Sequence, residues 1–171
     1  MDSIRSLLPK WVKIWLIVST VLCGMDVLYT MLRPRTLRDG DLWWITPGWN
    51  FYSDVDLRYA STSDPVTCAT GRLMIVELVL NILALYLNRC QSPHSVTVTF
   101  LSSCLVLEKT VLYLTMFIQP PQGSANFLAD VHPLHELIIF WIPDLVWVLM
   151  PLLTIICLWP KITETVKSKT Q

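Results

Sequence analysis

Apolar positions gather into four runs, 11–32, 70–88, 96–118 and 136–159, separated by polar connections of unequal length. A helix rises ~1.5 Å per residue, so runs of about twenty residues match a hydrocarbon core of ~30 Å. The pattern predicts an all-α membrane protein, a bundle of four transmembrane helices. The first run is too long for a signal-peptide core and no small-residue cleavage site follows it, so it is read as a retained span. The connection 33–69 is long, 89–95 is short, and 119–135 is intermediate, with Pro120, Pro121 and Gly123 as breakers. The chain thus divides into a short polar N-terminus over 1–10, a membrane domain over 11–160 and a polar tail over 161–171.

Orientation follows from the basic residues. Arg5, Lys10, Lys13, Arg89, Lys161, Lys167 and Lys169 fall on one side of the four spans. Arg33, Arg35, Arg38, Arg58 and Arg72 fall on the other. The excess on the first side predicts cytosolic termini. The end of the chain, Lys167-Ser168-Lys169-Thr170-Gln171, resembles a cytosolic Lys-x-Lys-x-x retrieval signal and points to the endoplasmic-reticulum membrane. On this reading 33–69 is a long lumenal loop. It crowds Trp43, Trp44, Trp49, Phe51 and Tyr52 beside Asp39, Asp41, Asp54 and Asp56. That mixture suits a segment lying in the interface with its aromatic side down, anchoring there or capping a cavity between the helices.

Composition sharpens the picture at a few points. The chain is 53% hydrophobic and 15% charged, with mean hydropathy +0.51, which excludes an ordinary soluble domain. A formal net charge of zero argues against a nucleic-acid partner, leaving membrane lipids and a lipophilic small molecule. Cys23, Cys68, Cys90, Cys104 and Cys157 have no metal-type spacing and read as packing residues. A homodimer is compatible with all of this.

Every span carries an internal acid: Asp26, Glu77, Glu108 and Asp144. Counted from the lumenal ends, they fall in a layer roughly 9–15 Å deep. Burying one acid costs ~2.5–3.5 kcal/mol on insertion scales, so four at one level need a reason. Shared protons and helix-to-helix hydrogen bonds are one explanation. A water-accessible acidic pocket is the other, and it is favoured. Ser19, Cys23, Asp26 and Thr30 form one polar stripe, Glu77 and Asn81 a second, and Lys109 and Tyr113 a third with Glu108 on its edge. Clustered carboxyls cannot all ionise, and a neutral acid beside an ionised one suits general acid–base chemistry. In the last run Asp144 has Trp147 at i+3 and Phe140 at i−4, with Trp141 alongside, so aromatic faces accompany the acid and suit a cation. Pro143 and Pro151 lack an N–H and should leave the carbonyls of Ile139 and Trp147 without their helical donors. A kinked packing helix with a neutral Asp144 accounts for this stretch equally well.

These residues carry a family resemblance. His132-Pro133-Leu134, then Asp144-Leu145-Val146-Trp147 and Pro151, resemble the last helix of the sterol Δ8–Δ7 isomerases (emopamil-binding proteins). Val111-Leu112-Tyr113-Leu114-Thr115 resembles their third helix. Tyr52-Ser53-Asp54-Val55-Asp56-Leu57-Arg58-Tyr59 with Thr67-Cys68 resembles their loop and second-helix start. Met25-Asp26 and Glu77-Leu78-Val79 are closer to the sigma-2 receptors of the same EXPERA superfamily. The resemblance covers about residues 15–160 and implies an EXPERA-type four-helix bundle. It also implies that Asp26 and Asp56 contact ligand and that Trp147 is the retained indole. The isomerase His-x-x-x-Glu pair is replaced by Ser19 and Cys23, its helix-terminal Asn by Asp144, and its second-helix glutamate by Thr70, unless Glu77 takes that role.

The expected activity is therefore a cofactor-free isomerase that moves protons on a sterol, terpenoid or other specialised metabolite, shifting a double bond or closing a ring. Asp26, Glu77, Glu108 and Asp144 are the candidate catalytic acids. Asp56, Lys109, Tyr113, Phe140, Trp141 and Trp147 are the candidate substrate contacts, and no metal ligands are expected. The rival expectation is a non-catalytic binder or carrier of sterols and cationic amphiphiles.

Overall fold

The structure is a computed structural model describing residues 7–118, 122–123 and 127–169, with side chains to 163. The Lys167/Lys169 signal and Arg5 lie outside the described side chains. Among the described residues, four helical segments are long and apolar enough to cross a membrane: α1 (Lys10–Met31), α4 (Pro65–Arg89), α5 (His94–Ile118) and the stretch Pro133–Thr163. That stretch comprises α6 (Pro133–Glu136), a wide π turn (Leu137–Trp141) and most of α7 (Ile142–Lys169). Packing runs α1 on α4, α4 on α5 and α5 on α7.

Two boundaries differ from the hydrophobic runs. Helix α4 begins at Pro65 rather than near 70. Asp64 caps it, accepting from the Thr67 N–H at 2.8 Å, and Pro65 supplies a preset φ at the first position. Polar Thr67 and Thr70 hide this first turn from a hydropathy reading because they point inward. The last helix starts at Pro133, and Pro151 and Pro160 both sit inside α7. The interruption expected at Pro143 takes the form of the π turn just before it, where the Ile142 N–H donates to the Leu137 carbonyl.

The bundle is apolar outside and mixed inside. Large side chains such as Ile17, Val21, Val79, Leu112, Leu149 and Ile156 are exposed on its flank. Ser19, Thr30, Asn81, Thr99, Ser102, Ser103, Thr110 and Thr154 are buried. In lipid there is no hydrophobic drive between helices, so close approach and interhelical hydrogen bonds take over. Asn81 shows both at once: its Nδ2 donates to Ser19 Oγ at 3.2 Å and its Oδ1 accepts from Ser102 Oγ at 2.7 Å, tying α1, α4 and α5 together. Gly71 lets α4 meet α1, since a Cβ there would come within 2.6 Å of Thr30 Oγ1 and Met31 Cε.

The interior is layered along the bundle axis. Leu8, Val12, Leu16, Ala84, Val96 and Leu158 pack near the chain termini. Above them lies the polar layer of Ser19, Asn81 and Ser102. At the far end Tyr29, Val55, Tyr59, Tyr113, Leu114, Phe117 and Phe140 form an aromatic core.

The long connection after α1 folds over that end. It contains a 3-10 turn (Trp43–Ile45), α2 (Pro47–Ser53) and α3 (Leu57–Ala60). Trp43, Trp44 and Phe51 are exposed, whereas Trp49, Tyr52 and Tyr59 pack into the aromatic core. Buried Asn50 holds the fold of the connection, donating to the Thr36 carbonyl at 3.0 Å and the Thr46 carbonyl at 3.1 Å. The segment before α6 closes on it through two backbone bonds, Leu57 N–H to the Phe127 carbonyl and Ala129 N–H to the Val55 carbonyl, each 2.9 Å.

Candidate functional site: a cavity among the four long helices with paired tyrosines and acids

Between the polar layer and the folded cap lies a cavity of ≈480 Å³, within the usual size of small-molecule sites. All four spanning segments contribute. Cys23 and Asp26 come from α1, Thr70 and Met74 from α4, Lys109, Thr110 and Tyr113 from α5, and Ile139, Asp144 and Trp147 from the last helix. The cap adds Trp49, Tyr52 and Tyr59.

Three tyrosine–aspartate pairs organise this space. The Tyr59 hydroxyl reaches both oxygens of Asp26, at 2.8 and 2.9 Å. The Tyr52 hydroxyl donates to Asp144 Oδ2 at 2.9 Å, and the Tyr113 hydroxyl donates to Asp56 Oδ2 at 2.5 Å. The rings also pack on one another, Tyr52 against Tyr59 at 4.8 Å and Tyr59 against Tyr113 at 6.3 Å, both edge-on. A phenol hydroxyl can stabilise a carboxylate, so each pair fixes the orientation of an acid while leaving its charge state adjustable. Asp26 and Asp144 are only half-buried and line the cavity from different helices.

Asp56 does a different job. It is fully buried, does not line the cavity, and its Oδ1 caps α3 by accepting from the N–H groups of Arg58 (2.9 Å) and Tyr59 (3.3 Å). It therefore positions Tyr59 and Tyr113 from behind. Burial pushes its carboxyl up to about 6, against the opposing pull of the Tyr113 hydroxyl and the two backbone N–H groups. An unfolded aspartate titrates near ~3.9, so between about pH 4 and 6 the folded protein keeps a proton that the unfolded chain has lost. The stability contributed by this group is full below about pH 4 and falls, by up to ~3 kcal/mol, as pH rises through 6. Asp56→Asn keeps a capping oxygen and removes the titration. Its melting temperature should gain on the wild type between about pH 4 and pH 7. Parallel pH profiles for the two proteins would assign the effect to other groups.

The remaining sequence candidates spread around the cavity. Lys109 and Trp147 line it, and Trp147 closes its lower end edge-on against Trp15 of α1, with ring centroids 5.1 Å apart. Glu77 is buried below the cavity, where Oε2 accepts from Lys109 Nζ at 2.8 Å and Oε1 accepts from Cys23 Sγ at 3.0 Å. Phe140 is fully buried behind Tyr52 and packs on Phe117 at 4.7 Å, so it supports the wall without lining it. Trp141 donates to Glu136 Oε1 at 2.7 Å and anchors the start of the last helix. Glu108 is exposed on the outside of α5, one position from Lys109 but on another face.

Tyr52 and Tyr59 were not among the sequence candidates. Their sequence signals are indirect: Tyr52 belongs to the aromatic cluster of the long connection, and hydroxylated rings flank Asp56 at −4 and +3. Arg33 was not among the candidates either. It reaches across the cap with its whole guanidinium: Nε donates to the Thr30 carbonyl at 3.1 Å, Nη1 to the carbonyls of Tyr59 (2.8 Å) and Ser61 (2.7 Å), and Nη2 to Thr67 Oγ1 at 3.1 Å. Arg58 adds a second clamp, paired with Asp64 at 2.9 Å and lying 4.4 Å over the ring of Phe127.

No family model, curated protein or solved structure matches the chain.

Proposed function

We propose that this chain is a cofactor-free isomerase for a lipophilic sterol, terpenoid or related metabolite, working by protonation at one carbon and deprotonation at another. The observation carrying this reading is that Asp26 and Asp144 line one largely apolar cavity from different helices, each held by a tyrosine hydroxyl. One carboxyl can donate while the other accepts, and the rings of Trp147 and the tyrosines would stabilise positive charge developing between them. The EXPERA-type resemblance of the sequence supports the same chemistry. So does the size of the cavity, which suits a substrate arriving from the bilayer. The proposal includes an endoplasmic-reticulum location with both termini cytosolic and the cap lumenal.

A second reading, a binder of cationic amphiphiles, draws on a specific observation. Asp26, Asp144 and three tyrosine rings face the cavity, while Lys109, the one basic side chain lining it among the described residues, is already paired with Glu77. Such a site attracts a protonated amine without any reaction.

Membranes containing the protein, incubated with candidate lipids in deuterated water, separate the two. The isomerase reading expects a product of unchanged formula carrying one carbon-bound deuterium. Saturable binding of an amphiphilic amine, with every bound lipid recovered unlabelled, would favour the binder.

A further inference from the structure

Lys109 is the feature of the cavity that proton transfer between two acids leaves unused. A lysine this deep in a spanning helix needs compensation, and Glu77 provides it from below at 2.8 Å. Glu77 is in turn fixed by Cys23 at 3.0 Å. An ammonium group has three N–H donors. Among the described residues Glu77 is the one acceptor bonded to Nζ, yet Lys109 also lines the cavity. Its charge is neutralised on one side while donors remain for the other. An apolar hydrocarbon filling the cavity would displace water and leave those donors unpaired, an arrangement that is unfavourable. A substrate oxygen would satisfy them.

We propose that Lys109 binds a carbonyl oxygen of the substrate, so that the natural substrate is an unsaturated ketone or aldehyde rather than a hydrocarbon olefin. This rests on the isomerase reading and deepens it. The carboxylate of Asp26 or Asp144 removes a proton from the carbon next to the carbonyl. The C–H electron pair becomes a carbon–carbon double bond, and the carbonyl π pair moves onto the oxygen held by Lys109. The other acid, protonated at the outset, gives its proton to the far carbon of the conjugated system, and exchange with water returns both carboxyls to their starting states. The oxygen pair then re-forms the carbonyl and the double bond has moved by one position. Atoms and charge balance with no further reactant. The ammonium acts as a fixed donor aimed at the developing oxyanion.

The test uses androst-4-en-3-one, a steroid enone with a single oxygen, and its hydrocarbon counterpart androst-4-ene, bound to the purified full chain. The wild type should prefer the enone by about tenfold or more, as expected for a hydrogen bond from a charged donor. The infrared carbonyl stretch of the bound enone should lie below its value in hydrocarbon solvent. Lys109→Met alone would strand Glu77 as a buried charge, so the variant of choice is Lys109→Met with Glu77→Gln, which removes both charges and keeps an acceptor for Cys23. It should bind the hydrocarbon as before, lose the enone preference and return the carbonyl stretch to its solvent value. Lys109→Arg keeps the charge opposite Glu77 and covers the case in which the double variant does not fold. It should shift the carbonyl stretch while leaving hydrocarbon affinity unchanged. Equal affinity for the two probes, or a carbonyl stretch indifferent to these substitutions, overturns the assignment. A bound and shifted carbonyl without deuterium exchange overturns the isomerase reading instead and leaves Lys109 as an oxygen-binding group.

Discussion

Asp144→Asn should bind substrate nearly as well as the wild type and turn it over at least tenfold more slowly, with 10²–10⁴ the usual range for loss of a general acid or base. The amide keeps the shape of the carboxyl and still accepts from the Tyr52 hydroxyl, so the wall between Pro143 and Trp147 should stay in place. What disappears is the capacity to take and return a proton. The split between binding and turnover is the informative part. Under the binder reading the same substitution removes one of the two acids lining the cavity and weakens an amine by about tenfold, with no rate to lose. Trp147→Ala should behave differently and reduce both, because it deletes the ring that closes the cavity against Trp15.

Arg33→Met should produce the largest loss of stability among single substitutions in the cap, about 3–5 kcal/mol. The guanidinium bonds groups on three separate elements: the end of α1, the α3 turn and the first turn of α4. Its removal leaves the carbonyls of Tyr59 and Ser61 without this donor in a partly buried setting, where the desolvation penalty of each is felt. Tyr59 carries the hydroxyl that holds Asp26, so activity should fall along with the melting temperature. Arg35→Met is the control. Arg35 pairs with Asp41 at 2.6 Å, but both side chains are more than half exposed, and solvent screening leaves such a pair little to contribute, so its loss should barely move the melting temperature. Equal melting temperatures for the two variants would mean that the cap is held by its aromatic packing alone.

The membrane spans were legible because twenty apolar residues in a row have few other uses, and the acids within them stood out for the same reason. Asp26, Lys109, Asp144 and Trp147 line the cavity at positions where the sequence showed a polar or aromatic group on an inward stripe. Depth follows from counting residues along a helix, whereas direction around it is set by tertiary packing. Glu108 has the same depth as its neighbour Lys109 and lies about 100° away around α5, which is enough to put it outside. Tyr52, Tyr59 and Arg33 were hidden for another reason. Tyrosines and arginines are ordinary at a membrane interface, and these three acquire their roles only after the connection folds back over the bundle. The start of α4 was present in the sequence as Asp64-Pro65, a cap followed by a first-turn proline, but the hydropathy of Thr67 and Thr70 outweighed it. The π turn before Pro143 has no sequence signal beyond the proline itself.

The claim that one cavity moves protons between two acids is tested most directly by counting carbon-bound deuterium in a double variant. Asp26→Asn with Asp144→Asn keeps both tyrosine hydrogen-bond acceptors and removes both carboxyl groups that line the cavity among the described residues. Mass spectrometry of lipid recovered from deuterated water should show one deuterium per product molecule with the wild type and none above the membrane background with the double variant. Deuterium incorporation at the wild-type rate by a folded double variant would contradict the account.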